Sequence, residues 1–185
     1  MLSPVLQSIQ SLGQFSEQEL SLVQNKMTFR SIKKNSFILQ EGKVCQAFYF
    51  LNKGSCSHTF TTAEGVDVIL NLYVENDWLS DYQSFTSQKP SKNNIQAFED
   101  CELVELTVHS FHELIGLSPS FFKIGKLFEK LQNPDTLWNI QSHDEMYKEL
   151  LAKRPQLIRK FPLKYIASYL RIAPETLSRI RRRIK

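Results

Sequence analysis

The segment Leu163–Lys185, LKYIASYLRIAPETLSRIRRRIK, limits the chain's possible folds more than any other. Ile166 and Leu170 stand one helical turn apart, so a first helix from Leu163 to Leu170 turns both to one inner face. Ala167 between them is small, which lets a crossing helix approach. Arg171-Ile172-Ala173 is a connector, and Pro174 opens a second helix at a first-turn position, where its missing N–H costs nothing. Leu177, Ile180 and Ile184 line one face of that helix. At about 100° per residue, Glu175, Arg179 and Arg182 fall on the opposite face, flanked by Thr176, Ser178 and Arg183. This is a helix-turn-helix pattern whose second helix has a polar, cationic exterior.

Charge separates this end from the rest. From Lys153 onward eleven Lys or Arg face one acid, Glu175, a net +10 that leaves −6 for the remainder of a chain whose total is +4. A basic block interleaved with an apolar helical period suits a polyanion. In the major groove the first turn of the second helix, with Glu175, Thr176 and Arg179, reaches base edges. Arg matches guanine O6 and N7, and Glu accepts from cytosine N4. The trailing Arg181, Arg182, Arg183 and Lys185 suit phosphates. The alternative is an ordinary amphipathic helix with a solvated basic face.

Upstream the periodicity is that of strands. Thr28–Ile32, Phe37–Gln40, Ala47–Leu51, Ser55–Thr62, Val66–Val74, Asn94–Phe98 and Cys101–Leu106 are short β-branched or aromatic runs between turns such as Glu41-Gly42, Asn52-Lys53-Gly54 and Ala63-Glu64-Gly65. Runs so short and regular predict a rolled antiparallel sheet. Helices flank it. Ser16 and Glu19 have capping-box spacing, as do Ser142 and Glu145, and Ser118-Pro119 reads as a cap followed by proline. Phe121, Ile124, Phe128 and Leu131 form a stripe that suits either pairing with a second copy or packing onto the roll, and Pro134 interrupts that helix. The expected class is α+β, divided into a β-roll at 1–117, a connecting and dimerisation helix at 118–141, and a helical region at 142–185 with the helix-turn-helix at 163–185.

No apolar run approaches the ~18 residues a membrane helix needs. The start MLSPVLQSIQS lacks a signal peptide's charged region and cleavage pattern. Cys45, Cys56 and Cys101 are scattered, odd in number and without C-x-x-C spacing, so they read as small core residues in a reducing compartment. A cytoplasmic location is expected. His109 and His112 read as a surface pair rather than a metal site, with no third ligand near in sequence. Trp78 and Trp138 read as core or interface residues. No phosphate loop or nucleophile motif stands out, so neither an enzyme nor a cofactor is expected.

Pro162, then Tyr-Ile-Ala-Ser-Tyr-Leu from Tyr165 to Leu170, then Pro-Glu-Thr-Leu-Ser-Arg-Ile from Pro174 to Ile180, resemble the helix-turn-helix of Crp/Fnr-type transcription regulators, in a form similar to Bacteroidetes-type members. The turns at Gly42, Lys53-Gly54-Ser55 and Glu64-Gly65 are similar in order and spacing to that family's cyclic-nucleotide-binding-like roll, a double-stranded β-helix. The resemblance implies a homodimeric regulator of double-stranded DNA, with an unidentified small-molecule effector and a contact to RNA polymerase. It assigns base reading to Glu175 and Arg179 and neighbouring DNA contacts to Thr176 and Ser178. Pro174 replaces a base-reading Arg of catabolite-activator-like members, and Arg171 replaces a frequent glycine, which predicts a left-handed residue there. The competing class is a small-molecule sensor or interaction module whose C-terminal helices bind a protein.

Nucleotide-binding relatives hold ribose and cyclic phosphate with a Gly-Glu pair and an Arg-Ser or Arg-Thr pair. These positions fall here at Ser80-Asp81 and Ser91-Lys92. The arginine fork is absent, and Lys92, one place along, points to the other face of an extended segment. The resemblance therefore implies a degenerate or differently specific pocket that does not take cyclic AMP.

Overall fold

The computed structural model describes residues 3–127, 131 and 142–184. The N-terminal pair of helices is α1, Pro4–Gln10, and α2, Glu17–Asn25. The capping box that the sequence predicts is formed at α2: the Ser16 side chain accepts from the Glu19 amide, and the Glu19 carboxylate accepts from the Ser16 amide at 2.8 Å.

Eight strands follow: β1 (Thr28–Ile32), β2 (Phe37–Leu39), β3 (Ala47–Lys53), β4 (Ser55–Thr61), β5 (Asp67–Val74), β6 (Trp78–Leu79), β7 (Asn93–Ala97) and β8 (Cys101–Thr107). All pair antiparallel, in two four-stranded sheets ordered β1-β8-β3-β6 and β2-β7-β4-β5. The predicted strands match to within two residues at each end. Two elements between β5 and β7 were not foreseen, β6 and the one-and-a-half-turn helix α3, Tyr82–Ser87. At the β3–β4 turn Gly54 has φ +103°, and a Cβ there would stand 2.7 Å from the Asp100 carbonyl and the Cys101 sulfur. Glycine is required at that corner.

Between the sheets, Phe48, Phe50, Leu51, Ile95, Leu103 and Leu106 are fully buried. The cysteines belong to this interior as expected, although Cys56 and Cys101, far apart in sequence, bring their sulfurs to 3.7 Å. Trp78 is buried and donates to Ser8 Oγ. Helix α4, Val108–Leu117, is capped by Thr107 and leads into a 3₁₀ segment, Pro119–Gly125. Phe121 and Ile124 from that segment are fully buried in the roll's core, with Leu131 packed against it. Phe121, Ile124 and Leu131 of the expected stripe are thus spent on the roll. What begins at Pro119 is not the expected continuous pairing helix: proline opens a 3₁₀ run, Pro119–Gly125. Phe128, Pro134, Trp138 and the boundary expected before Ser142 lie outside the described residues.

The C-terminal region has helices α5 (His143–Lys153), α6 (Pro155–Lys160), α7 (Leu163–Tyr169) and α8 (Pro174–Arg183). Ser142 stands at the N-cap of α5 without a side-chain cap bond, so the capping box expected with Glu145 does not form. These helices enclose Met146, Leu150, Leu157, Ile166, Leu177 and Ile180, and the same cluster takes in Ile69, Leu72 and Val74 of β5. The helical region therefore shares a core with the roll. Arg154 donates to the Leu72 carbonyl, and Ser168 Oγ accepts from the Ile69 amide at 3.0 Å.

Candidate nucleic-acid interface and effector pocket

Two helices, α7 and α8, form where the spacing predicts them. Ile166 and Ala167 are buried on α7, Leu177 and Ile180 on α8, and the two helices meet along these faces. Between them Arg171 has φ +56°, the left-handed conformation expected at this position. The turn closes through Arg171 N to Ser168 O and Ile172 N to Ala167 O, both 3.0 Å, the bonds of a helix C-cap.

On α8 the structure separates the named residues by exposure. Glu175, Arg179, Arg181, Arg182 and Arg183 are exposed, while Thr176 and Ser178 are half-buried beside them. The face is polar and cationic along its length, with Glu175 in its first turn. Among the described residues Arg179 and Arg182 have no ion-pair partner. Arg183 does: it pairs with Asp144 at the start of α5. That contact fastens the end of α8 to α5.

The second site lies in the roll. Ser80, Asp81 and Ser91 are brought together and buried, whereas Lys92 is exposed and turned away from them. Asp81 caps α3, accepting from the Ser84 amide at 3.0 Å. Its Oδ2 accepts from Ser91 Oγ at 2.5 Å and from Asn93 Nδ2 at 2.9 Å. Burial works to raise this carboxyl, but the Ser84, Ser91 and Asn93 donors and nearby His58 outweigh it and hold it below its ordinary range. Ser80 Oγ is spent on the Ala47 carbonyl at 3.0 Å.

Asp81 borders a cavity of about 320 Å³ with His58, Asn71, Tyr73, Tyr82 and Asn93. Sequence reasoning missed His58. It sits on β4 opposite Asn71 of β5 and Ile95 of β7, and strand register, which no local motif encodes, puts it on the cavity that Asp81 borders. Its ring is buried, Nδ1 lies 3.5 Å from the Tyr73 hydroxyl, and among the described residues Nε2 has no hydrogen-bond partner. Burial pushes this imidazole down to about 4, against the pull of Asp81. His109 and His112, by contrast, lie exposed on α4. Among the described residues no group of three or more His, Cys, Asp or Glu is placed to hold a metal, and no helix is long and apolar enough to cross a membrane.

Comparison with known proteins bears on the roll by sequence and on the wider fold by structure. Residues 29–117 match the cyclic nucleotide-binding domain family. The cAMP-activated global transcriptional regulator CRP of Salmonella typhimurium is 24% identical over 84 residues, 45% of this chain and 40% of that protein. The match thus spans about two-fifths of the length of that curated relative. The catabolite activator protein of Thermus thermophilus superposes with a TM-score of 0.56 at 20% identity, covering 92% of this chain and 84% of the other. A protein of Eubacterium rectale, described as a transcriptional regulator of the Crp/Fnr family, gives 0.62 at 17% identity over 91% and 82%.

Proposed function

We propose that this chain, whose residues 29–117 are a cyclic nucleotide-binding-type domain and whose fold is that of the Crp/Fnr-type regulators, is a transcription regulator that reads operator DNA with α8. The observation that carries this reading is the division of α8 into two faces. Leu177 and Ile180 hold it to α7, which leaves Glu175, Arg179 and Arg182 outward on a helix that fits the major groove. Glu175 and Arg179, with Thr176 and Ser178, contact bases and nearby backbone; Arg182 contacts phosphate, with Arg183 as a weaker contributor because of its bond to Asp144.

The reading includes a homodimer, since paired half-sites one helical turn apart ask for a two-fold protein. With Phe121 and Ile124 spent on the roll, Leu117 and Phe122 are, among the described residues, exposed apolar side chains at the start of the connecting region. The protein acts in the cytoplasm, catalyses no reaction and answers an effector in the roll. That effector is not cyclic AMP. A buried phosphate needs a fixed cation, and Ser91 offers a hydroxyl already given to Asp81 while Lys92 faces solvent.

A duplex mobility shift at several salt concentrations tests the proposal. Phosphate neutralisation predicts affinity falling steeply as salt rises, followed by recovery of a defined site from random duplex DNA. Absence of any shift at low salt, or binding indifferent to salt, would instead favour a protein partner for the C-terminal helices.

A further inference from the structure

We propose that a β-bulge at Leu70 couples the roll cavity to the seat of the C-terminal helices on β5, so that a body filling the cavity moves the strand and loosens those helices. The inference rests on the effector reading of the roll and names the device through which an effector acts on α7 and α8. β4 and β5 pair in step from Ser55 with Val74 to His58 with Asn71, then resume one residue out of step at Thr59 with Ile69. Leu70 is the extra residue on β5, with no ladder partner on β4.

That one residue decides which way β5 faces. In a regular strand Ile69, Asn71 and Tyr73 would share a face. Here Asn71 and Tyr73 line the cavity together with Leu70, whereas Ile69 joins Leu72 and Val74 in the core shared with the C-terminal helices. The bulge has turned Ile69 from the cavity to the helices. β5 is also the edge of its sheet, and side chains of the helical region hold its backbone. The Ile69 amide donates to Ser168 Oγ of α7 at 3.0 Å, and the Leu72 carbonyl accepts from Arg154. Leu70 therefore stands between the cavity and the bond to α7. Lacking a ladder partner, it is the link in β5 that yields first when pushed from the cavity, and its displacement passes to Ile69 next to it in the chain.

A covalent stand-in for an effector tests this on the full chain. Gln83 of α3 lines the same cavity and is exposed, while Cys45, Cys56 and Cys101 are buried, so Gln83→Cys takes a benzyl group from benzyl methanethiosulfonate at that position. Amide hydrogen exchange is then compared with and without the benzyl group. Ile69 and helices α5, α7 and α8 should exchange about tenfold faster with it, β4 and β7 should keep their protection, and reduction of the mixed disulfide should reverse the change. Deleting Leu70 should loosen the helices by itself, by returning Ile69 to the cavity face, and leave the benzyl group no further effect on them. Equal exchange with and without the benzyl group, or loosening that spreads evenly through β4 and β7, would overturn the inference. Should the chain lacking Leu70 fail to fold, the comparison within Gln83→Cys still decides. These measurements contain no DNA, so their failure leaves the duplex-shift result standing, and the reverse also holds.

Discussion

Asp77 Oδ2 accepts a hydrogen bond from Arg154 Nη2 at 2.5 Å, joining the turn after β5 to the junction of α5 and α6. The same carboxylate oxygen accepts from the Val74 amide, and the same arginine nitrogen donates to the Leu72 carbonyl. Both side chains are mostly buried, so this pair adds a polar tie between the C-terminal helices and the roll.

Replacing Arg154 should loosen that seat. Arg154→Ala removes the guanidinium from Asp77 and one donor from the Leu72 carbonyl, a loss of about 1–3 kcal/mol. Urea unfolding followed by far-UV circular dichroism measures it. Arg154→Lys should recover part of the loss by restoring the charge without the planar fork. Unchanged stability in the alanine variant would mean that the apolar contacts of Leu72 and Val74 with Leu150 and Leu157 suffice to hold the seat.

Most of the roll and both helices of the helix-turn-helix could be read from the chain because their signals are local. β-branched runs lie between explicit turns, and Leu177, Ile180 and Ile184 repeat at helical spacing. What escaped was set by distant pairing. The two-residue β6 has too little sequence to show a period, and it exists because Trp78 and Leu79 pair with Phe50 and Tyr49. His58 is likewise defined by register, and Arg183 by an acid 39 residues earlier. The stripe at Phe121 and Ile124 shows the limit of periodicity: it marks an apolar face without naming what covers that face.

Arg171 is a place where one residue can be improved. A side chain at φ +56° carries a steric cost that glycine avoids. Arg171→Gly should stabilise the chain by up to about 1 kcal/mol, net of the entropy glycine loses on folding. A thermal melt gives the answer, and a lower midpoint would show that interactions of the arginine side chain outweigh the strain.

The two outward arginines of α8 should differ in kind. Arg179→Ala is expected to lower affinity for a selected site by about 1–3 kcal/mol and leave random DNA nearly unaffected. Arg182→Ala should weaken all sequences alike and flatten the salt slope by about one unit, and Arg183→Ala by less because of its bond to Asp144. Competition binding against random duplex at matched salt separates the two. Equal losses on selected and random DNA for Arg179→Ala would remove its base-reading role.

His58 makes the roll sensitive to mild acid. In the unfolded chain the ring takes a proton near its ordinary 6.5, while burial holds the folded ring near 4. Between those values the unfolded state carries the extra proton, so stability falls with pH there. The contribution is whole above about pH 6.5, declines through the window and levels off below about 4, with a full amplitude on the order of 3 kcal/mol. Asp81 acts lower: its carboxyl is held below the ordinary range, so its stabilisation is lost as pH drops through that depressed value. The two windows can therefore be told apart. His58→Gln cannot titrate, and its unfolding free energy should vary less than that of the parent chain between about pH 7 and pH 4.5. Histidines His109, His112 and His143 are exposed and common to both proteins, so they cancel in the difference. Parallel curves for the two proteins would show that the His58 ring reaches a proton in the folded state, and the buried, neutral imidazole would have to be abandoned.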